Sequence, residues 1–398
     1  MKSRRRIHFL FLNIGHFLDH LILLIFATAA AVRLSTEWGM SYSELIPYAT
    51  PGFVAFGLCA IPAGWLADRW SREGMMAVYF FGIGSSAIFC ALAQSAWEIA
   101  ISLTLVGIFA AIYHPVGLAL VVHGRLRTGV PLAINGIFGN MGVASAALLT
   151  GYLIDASGWR LAFVLPGTAA IAVGLGYVYF LRGGGETRVE PVAAADPGTE
   201  PAHTDPRILL RIFTIVLLTT AIGGLIFQST TFALPKIFAE RLQDIAATAT
   251  LVGWYSFLVF SVAAFAQLLV GYLVDHYSVR LVFAVVAALQ AGFFYTMVQL
   301  SGLAALLVAI LFMLVVFGQI PINDVLVGRI TRSEWRARAY AIRYIVTFSV
   351  MASAVPLIAW LHAEWGFDAL FQVLAVAAGC ILFAVLLLPS AHGAIARR

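Results

Sequence analysis

The sequence predicts an all-α polytopic membrane protein of twelve transmembrane helices in two pseudo-symmetric six-helix bundles. Four observations carry this. Of 398 residues 62% are hydrophobic and only 11% charged, against about half and about a quarter in a soluble domain. The apolar stretches run on for 20 or more residues instead of alternating, which excludes an outer-membrane barrel. Twelve spans of roughly 20 residues use about 240 positions, leaving short loops and one longer linker. The two halves also repeat one another in sequence.

Apolar runs bounded by charged, Gly or Pro residues place helices near 7–33, 44–67, 75–95, 97–122, 129–153 and 160–181 in the first half. The second half gives 208–234, 248–274, 280–300, 302–327, 338–361 and 367–388. Met1 to Arg6 is basic and leads into a run longer than a signal-peptide core, with no small-residue cleavage site, so it reads as a retained first span. The stretch from Arg182 to Arg207, rich in Gly, Pro, Ala and acids, buries too little to fold alone. It divides the chain into an N-terminal bundle (1–181), a linker (182–207) and a C-terminal bundle (208–398). Cys59, Cys90 and Cys380 sit in different apolar runs and suggest no disulfide framework.

Basic residues set the orientation. With alternating spans and an inward N-terminus, nearly all arginines and lysines fall on the cytoplasmic side, and only Arg33, Arg160, Lys236 and Arg241 fall outside. That asymmetry supports the span count and two cytoplasmic termini. It also explains the formal charge of +5 without nucleic acid. Sliding one half over the other aligns Gly64–Asp68 with Gly271–Asp275 at an offset of 207, His114-Pro115 with Ile320-Pro321 at 206, and Trp159–Phe163 with Phe367–Phe371 at 208. A parallel repeat of this kind is expected of transporters whose site lies near mid-membrane.

Gly64-Trp65-Leu66-Ala67-Asp68-Arg69, followed by Arg72, resembles the loop signature after the second helix of the major facilitator superfamily, with a repeat copy at 271–280 that includes Asp275. Within it, Gly15–His20, Tyr113-His114-Pro115 and Asn135–Gly142 are similar to the fosmidomycin-resistance branch of efflux proteins. The helix-one stretch departs from the branch pattern, with Asp19 one residue earlier than that acid usually stands. The chain also lacks the helix-four Arg of many drug/proton antiporters and the Gly-Pro of their helix-five signature. The resemblance implies alternating access, coupling to protons and efflux of a small compound.

Ionisable groups inside lipid are costly and mark function by default. On a helical wheel centred on His16, Asn13 lies near roughly +60°, His20 near roughly +40° and Asp19 near roughly −60°. All four share one mid-membrane face. Asp19, His16 and His20 are the candidate proton-coupling residues, since a His titrates near neutrality and couples with an adjacent carboxylate. The competing reading is a buried pair that fixes helix packing. Pro115 removes a backbone donor beside Tyr113 and His114, which suits either a cavity wall or a kinked helix with a bonded His. Pro321 is its counterpart.

Further substrate-binding candidates are Asn13, Tyr113, His114, Asn135, Gln228, Gln319, Asn323, Asp324 and Arg343. Asp324 with Arg343 reads first as an ion pair closing the cytoplasmic end, and second as direct substrate contact. Gln228 corresponds to His20, and Asn135 to Arg343, in the repeat. Gly136, Gly139 and Gly142 recur every three residues and are expected to let a neighbouring helix come close. Gly64, Asp68, Arg69, Arg72 and Asp275 are gate candidates whose contacts with helix ends form in one conformation and break in another.

No Walker-type, His-Glu-x-x-His, Cys-x-x-Cys or Gly-x-Ser-x-Gly motif occurs, so neither an ATP-driven pump nor an enzyme is expected, and neither a metal nor a cofactor. The expected partners are a small-molecule substrate, protons and the lipid bilayer of a bacterial inner membrane, with the protein a monomer. The readings are proton-coupled export of an amphipathic or anionic compound, proton-coupled import of an organic acid or sugar, a lipid flippase, or a receptor on the same fold.

Overall fold

The computed structural model describes residues 2–125, 128–183, 206–330 and 333–388. Most of the 182–207 linker lies outside the described residues. The spans are α1 (Arg4–Glu37), α2 (Tyr42–Arg69), α3 (Arg72–Leu92), α4 (Ala96–Val122), α5 (Gly129–Ser157) and α6 (Trp159–Arg182). They continue as α7 (Pro206–Arg241), α8 (Ala249–His276), α9 (Val279–Thr296) and α10 (Gly302–Ile330). The last helical stretch, Ser333–Leu386, is interrupted by Gly366 at φ 72° and ψ −170°. That residue separates α11 (333–365) from α12 (367–386), so twelve runs follow the predicted twelve. Eleven described helices are long and apolar enough to cross a membrane, the last of them, Val346–Leu386, running through the later part of α11 and all of α12.

Local chemistry sets the ends. The Ser41 hydroxyl accepts from the Glu44 amide at 3.2 Å while the Glu44 carboxylate accepts from the Ser41 amide at 2.8 Å, a capping box that opens α2. Ser71 and Ser95 cap α3 and α4. Two helices outrun their apolar stretch because polar residues continue them. In α1 the Ser35 hydroxyl donates to Ala30 O at 2.8 Å across a π turn at Ala30–Leu34, and Arg33 pairs with Glu37 at 3.1 Å. In α7 the Lys236–Glu240 pair, 3.3 Å, carries the helix past Pro235 to Arg241.

The repeat is visible in the backbone. Gly158, between α5 and α6, has φ 97° and ψ 163°, and Gly366, 208 positions later, adopts the same left-handed extended region. A residue with a Cβ is strained there, so both joints need glycine.

By compactness the chain forms two units. The first holds α1 to α6 together with Phe232–Leu258, and the second holds the earlier part of α7 and everything from Val259 onward. Close glycine packing binds the start of α8 into the first unit. A Cβ on Gly151 would stand 2.1 Å from Ala249 O, one on Gly253 would stand 2.5 Å from Ala147 O, and Asp155 accepts from the Thr250 amide at 2.7 Å. Across both units large apolar side chains point outward, among them Leu58, Phe89, Leu175, Phe265 and Phe383, each more than half exposed. So many outward apolar groups suit hydrocarbon surroundings and not water.

Candidate functional site

Helix α1 carries Asn13, His16, Asp19 and His20, and the first unit folds α4 and α5 against this face. Its close approach to α5 rests on two glycines. A Cβ on Gly142 would meet Phe17 O at 2.2 Å, and one on Gly139 would meet His16 Nε2 at 2.6 Å. Gly136, expected to pack likewise, faces open space; each three-residue step drifts about 60° round a helix, so the spacing overstated the contact. Opposite, Pro115 deprives α4 of a backbone donor, and the chain relaxes into a π turn at Tyr113–Gly117. That turn presents Tyr113 and His114 to α1. Gly64 of α2 closes on the same bend, where its Cβ would lie 3.3 Å from Pro115 Cβ.

A hydrogen-bonded frame holds the group. The Tyr113 hydroxyl donates to Leu12 O at 2.7 Å, and Asn135 Nδ2 donates to Asn13 Oδ1 and to the Tyr113 hydroxyl, each at 2.9 Å. His16 Nδ1 lies 2.8 Å from Asn135 O, which fixes a proton on Nδ1. The imidazole stacks on Tyr113, centroids 4.8 Å apart at 20°. His20 and His114 lie 5.0 and 5.4 Å from it, centroid to centroid, and 5.6 Å from one another. Asp19 is fully buried, neither carboxylate oxygen has a hydrogen-bond partner among the described residues, and Oδ2 is 3.8 Å from His114 Nε2. An ionised carboxylate in such a place is costly without a proton or a counter-charge.

The ligand nitrogens of His16, His20 and His114 lie within 4.8 Å of one another, the only such group among the described residues. A tetrahedral metal with bonds of about 2.0–2.1 Å needs its donors about 3.4 Å apart. The cluster is looser than that, and one nitrogen of His16 is engaged by Asn135 O and one of His114 faces Asp19. The arrangement is better suited to passing a proton between neighbouring groups than to gripping an ion.

In the second unit Gln228, Gln319 and Asn323 are all buried. Gln319 Nε2 donates to Thr219 O at 3.4 Å, and the Thr219 hydroxyl lies 3.3 Å from Asn323 Oδ1. Among the described residues Gln228 Nε2 and Gln319 Oε1 have no partner, which leaves them open to a polar ligand. The side chains of Asp324 and Arg343 lie outside the described residues, and with them the expected pair. At the loop signature Arg72 donates to Asp68 Oδ1 from Nη2 at 2.7 Å and from Nε at 3.2 Å, and Arg69 lies over the Trp65 ring at 4.4 Å. Asp275 stands at the matching end of α8.

Sequence reasoning missed two contributors. Tyr79 of α3 donates to Gly15 O at 2.7 Å and braces α1 beside the cluster. Glu37 gathers Trp159 Nε1 at 2.9 Å, Arg160 at 3.3 Å and Arg33 at 3.1 Å, joining the far end of α1 to α6. The unusual acid–Trp-Arg combination was available in the sequence, but only the fold makes the two ends neighbours.

Two bundles of membrane-crossing helices built on one repeat, with buried polar groups held inside apolar helices, define a membrane transporter. The chain belongs to the Major Facilitator Superfamily, whose family model matches residues 12–244 and 216–397. A gallate transporter of Pseudomonas putida is 27% identical over 145 residues, 36% of this chain and 32% of that protein. A 4-hydroxybenzoate transporter of Acinetobacter baylyi is 26% identical over 156 residues, 38% and 34% of the two chains. A multidrug resistance protein B homologue of Mycobacterium tuberculosis is 31% identical over 130 residues, 31% and 24%. The alignments thus span about a third or less of those relatives. Among solved structures, a bacterial homologue of the human lysosomal transporter Spinster superposes with a TM-score of 0.75 at 16% identity, covering 98% of this chain and 95% of that one. A D-xylose–proton symporter gives 0.73 at 14% identity over 97% and 98%. At these identities the likeness is one of fold.

Proposed function

We propose that the protein is a proton-coupled secondary transporter of the bacterial inner membrane, both termini cytoplasmic, which exports a small amphipathic or anionic compound in exchange for protons. The observation that carries this reading is Asp19, fully buried, without a hydrogen-bond partner among the described residues and 3.8 Å from His114. A proton shared between Asp19 and the imidazoles of His114, His16 and His20 neutralises the site, and its loss restores a charge that must be balanced or hydrated. Binding of proton and substrate can therefore exclude one another, as exchange requires. Asn13, Tyr113 and Asn135 position the cluster, while Gln228, Gln319, Asn323, Asp324 and Arg343 are assigned to substrate recognition. Gly64, Asp68, Arg69, Arg72 and Asp275 are assigned to gating.

The fosmidomycin-resistance resemblance and the multidrug-resistance relative support export. A second reading, proton-coupled import of an aromatic acid, draws on the gallate and 4-hydroxybenzoate relatives. The same experiment tests both. The protein is reconstituted in liposomes enclosing a pH dye, and fosmidomycin, gallate, 4-hydroxybenzoate and a sugar are added singly. Export predicts proton movement opposite to the compound and import predicts movement with it; in both, Asp19→Asn abolishes it. Compound flux that survives in Asp19→Asn with its proton movement intact refutes the assignment of Asp19.

A further inference from the structure

At the N-terminal end of α1 the first unit forms a half-open cavity of about 170 Å³, away from the His cluster. Three elements converge on it: Arg5, Arg6 and His8 from the start of α1, Glu73 from the first turn of α3, and His123 and Arg125 from the segment after α4. Phe9 and Leu12 give it an apolar floor. Basic residues at a helix end are ordinary where a membrane protein meets the cytoplasm, but these differ from their neighbour Arg4. That residue is used structurally, donating to Phe180 O at 2.9 Å with its guanidinium 4.7 Å over the Phe180 ring. Arg5, Arg6 and Arg125 have no ion-pair partner among the described residues. Arg125 instead lies over the Phe9 ring at 4.8 Å, a contact that holds its guanidinium at the cavity wall. Burial and the nearby Arg5 guanidinium both push the Arg125 pKa down from its ordinary value. Glu73 already sits in the first turn of α3, where the helix dipole favours a carboxylate. Three guanidinium groups against one carboxylate leave two positive charges uncompensated.

We infer that this cavity is an anion site for a phosphate monoester, bound by the guanidinium groups of Arg5, Arg6 and Arg125. The planar fork of arginine suits phosphate oxygens. A phosphate monoester carries close to two negative charges at neutral pH, matching the imbalance. His8, whose Nε2 lies 3.1 Å from the Tyr177 hydroxyl, also lines the pocket. Phe9 and Leu12 would meet a carbon chain attached to the phosphate. The ligand has two possible sources, a membrane lipid with a phosphomonoester head or a soluble organic phosphate, and the site is independent of which compound the protein transports.

The test uses the full-length protein. Inorganic phosphate and glycerol 3-phosphate are titrated calorimetrically in detergent, and dioleoyl phosphatidic acid is compared with dioleoyl phosphatidylcholine by native mass spectrometry. Each single change, Arg5→Gln, Arg6→Gln or Arg125→Gln, is expected to weaken binding about tenfold or more, and the triple change to abolish it. Glu73→Gln tightens it. Arg33→Gln, at the opposite end of α1, leaves it unchanged and reports that the fold is intact. Saturable binding of the soluble phosphates assigns the soluble source; retention of phosphatidic acid alone assigns the lipid. If the wild type binds neither soluble phosphate and does not prefer phosphatidic acid to phosphatidylcholine, or the triple variant binds as well as the wild type, the inference is overturned.

Discussion

Gly139→Ala is the smallest change that reaches the His cluster without removing any of its groups. The added methyl would lie 2.6 Å from His16 Nε2, 2.7 Å from Cε1 and 2.9 Å from Cδ2, where ordinary contacts begin near 3.4 Å. The imidazole or the helix must therefore give by nearly 1 Å. The ring cannot slide freely, since it is stacked on Tyr113 at 4.8 Å and its Nδ1 is held by Asn135 O at 2.8 Å. Overpacking of this kind destabilises by about 1–3 kcal/mol. A displacement of about 1 Å at a working group lowers a rate by on the order of 100-fold. In the liposome proton assay Gly139→Ala should lose most of its compound-driven flux, while Gly136→Ala, whose methyl meets nothing within 4 Å, keeps it. Adding His16→Ala to Gly139→Ala removes the clash, so thermal stability recovers although transport does not. Wild-type flux in Gly139→Ala, or equal damage from Gly136→Ala, refutes the placement of His16.

Tyr113→Phe removes a hydroxyl that both donates to Leu12 O and accepts from Asn135 Nδ2; leaving those groups unpaired should cost about 1–3 kcal/mol in chemical denaturation. Arg72→Gln breaks an exposed pair with Asp68, so stability should change by less than about 1 kcal/mol, and a fall in transport rate without a change in substrate binding would mark the pair as a gate. Dialysis against EDTA should leave transport unchanged, given the loose spacing of the three imidazoles. Loss of transport on chelation, restored by zinc, would make the cluster a metal site.

The span count and the α1 site face were legible because both rest on periodicity. A 20-residue apolar run has few structural options in a bilayer, and the wheel that groups Asn13, His16, Asp19 and His20 is fixed by helix geometry alone. The π turn at Tyr113–Gly117 was foreshadowed by Pro115, since a missing donor must be accommodated somewhere. What the wheel could not supply was distance between helices. Nothing in the order of residues says that Tyr79 braces Gly15, or that His16 leans on Gly139 while Gly136 meets nothing. Those facts depend on the rotation of α3 and α5 about their own axes, which small residues permit but do not dictate. Helix ends were missed for a simpler reason. Hydropathy stops counting at Arg33 and Lys236, whereas i,i+4 pairs with Glu37 and Glu240 carry the helices on.

The two units solve the same backbone problem with different side chains, and the difference bears on mechanism. Each is jointed by a left-handed glycine, Gly158 or Gly366, and each carries a proline in its helix four or ten. Yet His20 of the first unit corresponds to Gln228 of the second, an exchange of an ionisable group for a neutral amide. Among the described residues the buried polar groups of α7 and α10 are amides and hydroxyls: Thr219, Thr220, Gln228, Ser229, Thr230, Thr231, Gln319 and Asn323. Amides keep their charge state at every pH, so their hydrogen bonds to a ligand do not vary with the proton gradient. On the proposed reading, protonation is thus confined to the α1–α4 cluster, while the α7 and α10 amides recognise a ligand in both protonation states. Gln319→Ala should then raise the substrate concentration needed for half-maximal flux without moving the pH at which flux is half-maximal, whereas His114→Ala should move that pH. A shift of the pH midpoint in Gln319→Ala would show that the two tasks are not divided in this way.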